Sequence, residues 1–333
     1  MRNIFRLLCL IMCLTILAGL PAAQPPPDPA RYDPDALLPR EKQEETERDE
    51  TRARLGFTVK EEDDAPHPKF LMDCGQLVRP RAPEEFKALW HFPPKRQWWT
   101  STCWSFSTVS FLESECYRQT GQSIKLSEMY PVYWEYLEKV RGWVRSQGKS
   151  LVSEGSQSRA VLRCLLDHGI VRESDYPGIL PGQTMFDHAR LMEELTSYLA
   201  YIAENGYWDE ERVIAYTRGL LDKYMGPPPA AVEVDGKSMT PAQFLREVVR
   251  VDPATYVEFM SFLYVPFWTR GEYRVPDNWW HGQEYLNVPL DEWYGAIRQA
   301  AGRGFTVCIG GDVSESGYIG AEDVAVIPSF DLP

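Results

Sequence analysis

The stretch that decides the fold lies at residues 97–106 and reads Gln-Trp-Trp-Thr-Ser-Thr-Cys-Trp-Ser-Phe. From Cys103 to about Arg118 apolar residues recur at helical spacing, and Gly121 follows. The spacing predicts a helix that begins at the cysteine. Unpaired backbone N–H groups and the positive end of the helix dipole favour a thiolate at such a position. Cys103 is therefore a candidate nucleophile.

Gln97 stands six residues before the cysteine and is the second candidate. Its neutral amide can donate a hydrogen bond to the oxyanion that forms when a thiolate attacks a carbonyl, with the backbone N–H of Cys103 as the second donor. The alternative interpretation makes Cys103 a small buried apolar residue and Gln97 an ordinary surface amide.

The order of the predicted elements indicates the fold class. Helices are predicted at 103–118, 126–140, 159–168, 183–205, 209–224 and 290–301, with another opened by Thr240-Pro241, whereas strands are predicted at 230–234, 257–265 and 305–309. Helices dominate the first half and strands gather late, which predicts an α+β protein rather than a doubly wound sheet.

Several downstream blocks extend the pattern around Cys103. They are Gly-Ser at 155–156 before a helix, Pro-Asp-Asn-Trp at 276–279, Asn-Val-Pro-Leu-Asp-Glu at 287–292 and Gly-Asp-Val-Ser-Glu at 311–315. Together with Cys-Trp-Ser-Phe, they resemble the papain-like cysteine peptidases of the bleomycin hydrolase and aminopeptidase C branch. The resemblance covers most of residues 70–333. It implies a papain-like fold with the nucleophile at a helix start in the helical half, and an incomplete β-rich half. It also implies catalytic roles for Cys103 and Gln97, and a substrate groove at Gly155, Ser156 and Trp104.

The sequence departs from that family at the general base. The family's histidine and its orienting asparagine come after these blocks, so the chain is expected to lack its C-terminal segment. Papain-like spacing would place the histidine at about 233–253, where none occurs. Asp187-His188-Ala189 imitates the family's Asp-His-Ala, but it lies inside a predicted helical pattern, and His281 is an equally weak candidate. Peptide hydrolysis by this polypeptide is therefore expected to be poor or absent.

Composition and the N-terminus suggest where the protein acts. Among 333 residues there are 35 basic and 48 acidic ones, and a formal charge of -13 indicates no general affinity for nucleic acids. Residues 1–23 are predicted to be a signal peptide, with an uncleaved anchor as the alternative. Residues 24–68 form a predicted disordered linker, and 69–333 the peptidase domain. The predicted location is secreted or periplasmic. Removal of the signal leaves an odd number of cysteines: Cys74, Cys103, Cys116, Cys164 and Cys308.

Two functional hypotheses follow. The first is an exported, aminopeptidase-like cysteine peptidase that acts on peptides or proteins through an acyl-enzyme and needs no metal or cofactor. The second is a non-catalytic papain-like relative, a peptide-binding or structural protein of the cell envelope. The sequence leaves the oligomeric state open.

Overall fold

The structure is a computed structural model that describes residues 85–311 and the backbone of two further short strands, Tyr318–Ile319 and Val324–Ala325. The described chain divides into two units. One contains Leu89–Gly310, and the other includes Gly311 and the two further strands. The predicted signal peptide and linker, together with Cys74, lie outside the described residues. The predicted domain boundaries therefore stay predictions.

Five helices precede the first strand of the larger unit: α1 Cys103–Thr120, α2 Met129–Arg145, α3 Ser158–His168, α4 Ala189–Asn205 and α5 Glu210–Met225. They are followed by the hairpin β1 Val232–Val234 and β2 Lys237–Met239, and by the short helix α6 Pro241–Phe244, which continues as a π-helical turn Leu245–Val249. A 3-10 turn, Pro253–Thr255, precedes a small mixed sheet.

The small sheet has the order β3-β5-β4, with β3 Phe259–Met260, β4 Thr269–Gly271 and β5 Tyr285–Asn287. Strand β5 lies parallel to β3 and antiparallel to β4. Helix α7, Leu290–Gly302, closes the larger unit and buries none of its residues. In the other unit, β6 Tyr318–Ile319 pairs antiparallel with β7 Val324–Ala325.

The hydrophobic core lies among the helices. Helix α2 packs against α3 and α5, and it contributes the fully buried side chains of Met129, Tyr133 and Val140. Helix α1 adds Val109 and Leu112, also fully buried. Because the helices are central and the strands are short and peripheral, the predicted α+β class is confirmed.

Local sequence signals explain where several helices begin and end. Helix α1 ends at Gly121, whose φ of 71° is a left-handed conformation that glycine adopts readily. Thr240 caps α6 in a reciprocal capping box with Gln243, and Pro241 is the first helical residue, as predicted. These boundaries follow from chemistry within a few residues.

The prediction of a helix over 183–188 is wrong. Helix α4 begins only at Ala189, whose N–H donates to the Asp187 carboxylate at 2.9 Å. The preceding segment is held by a tertiary contact, since the N–H of Trp99 donates to the carbonyl of Phe186 at 3.1 Å. His188 therefore lies at the helix cap rather than inside the helix, which corrects the interpretation of Asp187-His188-Ala189.

Two strand predictions also fail. Only Phe259–Met260 pairs as a strand within 257–265. Residues 305–309 form no strand and are not buried, since Phe305, Val307 and Ile309 are 38%, 38% and 53% exposed. Their alternating apolar pattern suits a strand, but a strand also needs a hydrogen-bonding neighbour, and no described strand pairs with this segment.

Within the described ranges, none of the helices combines the length and apolar character that crossing a bilayer requires.

Candidate functional site

Cys103 is the first residue of α1, and its side chain is exposed. The preceding residue, Thr102, is completely buried and accepts the N–H of Ser105 at 2.9 Å. The side chain of Thr102, the N-cap residue, makes no capping hydrogen bond to the first turn of α1. The thiol therefore stands at an uncapped helix start, where the dipole stabilises negative charge.

The turn before the cysteine is fixed by hydroxyl groups. The Thr100 hydroxyl donates to the carbonyl of Gln97 at 2.8 Å and lies 2.6 Å from the Thr102 hydroxyl. Trp98 adopts a φ of 53°, a left-handed backbone that is rare for a bulky residue. Gln97 and Cys103 thus flank one hydrogen-bonded turn, with Gln97 half-buried. The oxyanion role of Gln97 stays a prediction.

The loop that contains Gly155 lies directly beside the start of α1. The backbone N–H of Ser101 donates to Oε2 of Glu154 at 2.7 Å, and the indole N–H of Trp104 donates to the Glu154 carbonyl at 3.0 Å. Trp104 is only 5% exposed, so its ring faces packed protein rather than an open groove. Its predicted contact with substrate stays untested.

A network of buried charged and polar side chains packs against the loop that contains Gly155. Glu135 on α2 accepts hydrogen bonds from Ser156 Oγ at 2.7 Å, from Trp279 Nε1 at 2.7 Å and from Arg163 at 2.9 Å. The Ser156 hydroxyl is thereby directed into the protein, so any contact it makes with substrate would come from its backbone.

Lys139, one turn further along α2, is completely buried and donates to the carbonyls of Ser153, at 2.8 Å, and Gly155. Burial lowers the pKa of Lys139, while nearby Glu135 counteracts that effect. Sequence analysis missed both residues. Their signal was two charges four residues apart on the otherwise apolar face of α2.

Gly155 lies against the end of a neighbouring side chain. A β-carbon built on Gly155 would lie 2.7 Å and 2.8 Å from the two carboxylate oxygens of Asp277. Asp277 belongs to the Pro-Asp-Asn-Trp block at 276–279. The structure therefore brings together two of the blocks that the sequence singled out, 155–156 and 276–279.

We expect Gly155→Ala to destabilise the protein by about 1–3 kcal/mol because the added methyl group collides with the Asp277 carboxylate. Asp277→Gly in the same chain should recover most of that loss. Chemical denaturation of the two single variants and the double variant measures the coupling. Strictly additive effects would contradict the contact.

Each of the four histidines in residues 85–311 contacts groups other than Cys103. His188 is buried, its Nδ1 lies 3.0 Å from the Tyr136 hydroxyl, and burial lowers its pKa to about 4. His281 is exposed and pairs with Glu272 at 2.7 Å. The other two histidines of this region contact an aromatic ring or a backbone carbonyl. His168 stacks on Trp134 with ring centroids 3.8 Å apart, and His91 contacts the Phe92 carbonyl.

The other described cysteines differ from Cys103. Cys116 and Cys164 are buried and unpaired, and burial raises the pKa of each thiol. Cys308 is half-buried, with Sγ 3.4 Å from Ser158 Oγ and 3.6 Å from Thr108 Oγ1. It lines a cavity of about 480 Å³ between α1, α3 and residues 256–310. Within the same described region no three histidine, cysteine or acidic side chains group together as a metal site.

Comparison with solved structures shows a fold that this chain resembles, whereas the sequence itself matches no known family or curated protein. No protein-family model matches the sequence, and none of the curated proteins matches it. Among solved structures, the chain is similar to PepW from Lactobacillus rhamnosis HN001 (DR20), with a TM-score of 0.52 and 16% sequence identity. The match covers 63% of this chain and 56% of PepW, so the aligned part is little more than half of PepW. At this identity the likeness concerns the fold alone.

Proposed function

We propose that this chain is a papain-like cysteine peptidase relative in which Cys103 is the nucleophile. The single observation that carries the proposal is the exposed thiol at the start of a helix of 18 residues, one face of which is buried. The buried face of the helix fixes the position of the thiol at its exposed first residue. The structural likeness to PepW supports a peptidase-like fold.

In the proposed reaction the Cys103 thiolate attacks a peptide carbonyl carbon. The backbone N–H of Cys103 and the Gln97 amide hold the resulting oxyanion. The C–N bond then breaks, the amine leaves with a proton taken from solvent water, and a second water hydrolyses the thioester to a carboxylate and the regenerated thiol. The family resemblance implies aminopeptidase-type trimming. The predicted signal at residues 1–23 implies action outside the cytosol.

Proton transfer limits the reaction. The four histidines of residues 85–311 contact other groups, and none of the hydrogen bonds of this region joins an imidazole to the Cys103 thiol. General acid–base catalysis contributes roughly 10²–10⁴-fold to such reactions. We therefore expect covalent capture at Cys103 but slow turnover.

Labelling of the purified full chain with a peptidyl vinyl sulfone tests this function. We expect one equivalent of label on Cys103, at a rate at least about tenfold above that of Cys116 or Cys164, because both of those thiols are buried. Peptide mapping by mass spectrometry locates the label. The Cys103→Ala variant provides the control and should remain unlabelled.

Two results would count against this function. Preferential labelling of Cys308 or of a buried cysteine would remove Cys103 as the nucleophile. Saturable peptide binding without any Cys103-dependent labelling would favour the non-catalytic alternative.

A further inference from the structure

The cavity between α1, α3 and residues 256–310 is walled mainly by apolar and aromatic side chains. Its volume of about 480 Å³ is in the range of small-molecule binding sites. All of its lining residues belong to the larger unit, and two of them, Leu290 and Ile309, are exposed, so the cavity reaches the protein surface. Its aromatic lining residues are Phe111, Tyr256, Phe262, Tyr273, Tyr285 and Trp293.

Five of these aromatic rings contact one another in the cavity wall. The centroid of Tyr273 lies 5.5 Å from that of Phe262 and 5.6 Å from that of Tyr285. The centroids of Phe111 and Tyr256 lie 5.2 Å apart. The faces of aromatic rings carry partial negative charge and attract cations within about 6 Å of a ring centroid. A wall of this composition therefore suits a positively charged ligand with an apolar surface.

The charge in the cavity wall is negative. Among the described residues that line the cavity, Glu258 is the one charged side chain, and none is a lysine, arginine or histidine. Nearby cations offset this charge only in part, since Arg159 lies 3.7 Å away without a hydrogen bond and Arg163 donates to Glu135 at 2.9 Å. Glu284 adds a second negative charge close to Glu258. The field of this wall attracts a cation.

The same wall offers few hydrogen-bond acceptors to a ligand. Both carboxylate oxygens of Glu258 and the Tyr285 hydroxyl are buried, and protein atoms enclose them. The Cys308 thiol lies 3.4 Å from the Ser158 hydroxyl and 3.6 Å from the Thr108 hydroxyl, so these polar groups contact each other. A primary ammonium has three N–H donors, which are costly to leave unpaired. A quaternary ammonium carries its charge without any N–H donor and avoids that cost.

We propose that this cavity binds an organic cation of the quaternary ammonium class, with the aromatic rings around the cation and Glu258 as its counter-charge. The proposal does not rest on the proposed function, since Cys103 is not among the lining residues and the ligand undergoes no reaction. An unmodified peptide contains no quaternary ammonium group, so this ligand class differs from the peptides of the proposed function.

Isothermal titration calorimetry of the full chain with two probes tests the proposal. Benzyltrimethylammonium has a permanent charge and no N–H donor, whereas benzylammonium has the same ring and charge but three N–H donors. Each probe is titrated into the unaltered chain, Glu258→Gln and Trp293→Leu, and circular dichroism verifies folding. Glu292→Gln, an exposed position on α7 outside the cavity lining, is the matched control. Protection of Cys308 from iodoacetamide, followed by peptide mapping, locates the bound probe.

We expect benzyltrimethylammonium to bind the unaltered chain at least about threefold more tightly than benzylammonium. Glu258→Gln should weaken binding of the quaternary probe about three- to tenfold because it removes the counter-charge. Trp293→Leu should weaken it about two- to thirtyfold because it removes an aromatic face. Glu292→Gln should bind the probe as tightly as the unaltered chain, and saturating probe should slow the modification of Cys308.

The affinity should also depend on pH through the protein alone, because the charge of the quaternary probe is permanent. Burial raises the pKa of Glu258 to about 7, so a rise from about pH 6 to pH 8 ionises this carboxylate and should tighten binding about twofold or more. Glu258→Gln should lack this dependence. That comparison separates Glu258 from the other titratable and charged groups that face it, which are Arg159, Arg163, Glu284 and Tyr285.

Three results would overturn the proposal. Equal or tighter binding of benzylammonium would overturn the quaternary ammonium class. An unchanged affinity in Glu258→Gln would overturn the role of Glu258 as counter-charge. A lack of binding, or binding without protection of Cys308, would overturn the cavity as the site. Labelling of Cys103 by the vinyl sulfone is measured separately, so failure of this proposal and failure of the proposed function are distinguishable.

Discussion

Glu135→Ala is expected to lower the free energy of unfolding by about 3–5 kcal/mol, the typical loss when one partner of a buried ion pair is removed. Glu135 is 3% exposed and accepts hydrogen bonds from Ser156, Trp279 and Arg163. Without its carboxylate, the Arg163 charge and the Ser156 hydroxyl lose their partner inside the protein. Urea denaturation followed by circular dichroism gives the measurement.

Two further variants show whether the loss comes from this network. Glu135→Gln keeps an acceptor for Ser156 and Trp279 but not the charge opposite Arg163, so its loss should be intermediate. Glu138→Ala is the matched control, since Glu138 lies on the same helix, is 37% exposed and contacts Arg141 at 3.3 Å. An exposed pair of this kind contributes about 0–1 kcal/mol. Similar losses at positions 135 and 138 would contradict the buried network.

The dependence of stability on pH should contain two opposing contributions from buried groups. Burial raises the pKa of Glu258 to about 7, and neither carboxylate oxygen has a hydrogen-bond partner among residues 85–311. The Arg159 guanidinium, 3.7 Å away, offsets part of that rise. Glu284 adds to the rise and Arg163 reduces it. Burial lowers the pKa of His188 to about 4.

Glu258 and His188 change the stability of the protein in opposite directions as the pH rises. The folded state holds the Glu258 proton more tightly than the unfolded state, so this stabilisation is complete below about pH 4.5 and is lost as the pH rises through 7. The folded state disfavours protonation of His188, so that stabilisation is complete above about pH 6.5 and is lost as the pH falls toward 4. Between these limits the two effects offset one another.

We expect Glu258→Gln to expose the histidine contribution. Relative to the unaltered chain, the variant should gain about 1–3 kcal/mol of stability as the pH rises from 4.5 to 7, since one pKa unit corresponds to about 1.4 kcal/mol. His188→Gln should show the opposite slope relative to the unaltered chain. Urea denaturation at half-unit pH intervals measures both differences, and parallel curves for the three proteins would refute the assignment.

The sequence correctly predicted the helix boundaries that depend on residues close together in the chain. The helix that begins at Cys103, its end at Gly121 and the capped start at Thr240 depend on groups a few positions apart, and each was predicted correctly. The α+β class followed from the order of the elements. The same local reasoning failed at 183–188, where Trp99 competes for the backbone, and at 305–309, where no described strand supplies the neighbour that a strand requires.

The candidate site shows the same division. By itself the sequence determined that a cysteine stands at a helix start with a glutamine six residues before it, because both facts depend on local spacing. Only the tertiary structure brought the loop of Glu154 and Gly155 against that helix, and only it turned Glu135 and Lys139 inward beneath the loop. The physical reason is that a buried charge is tolerated only where distant parts of the chain supply its partners, and spacing along the sequence does not specify those partners.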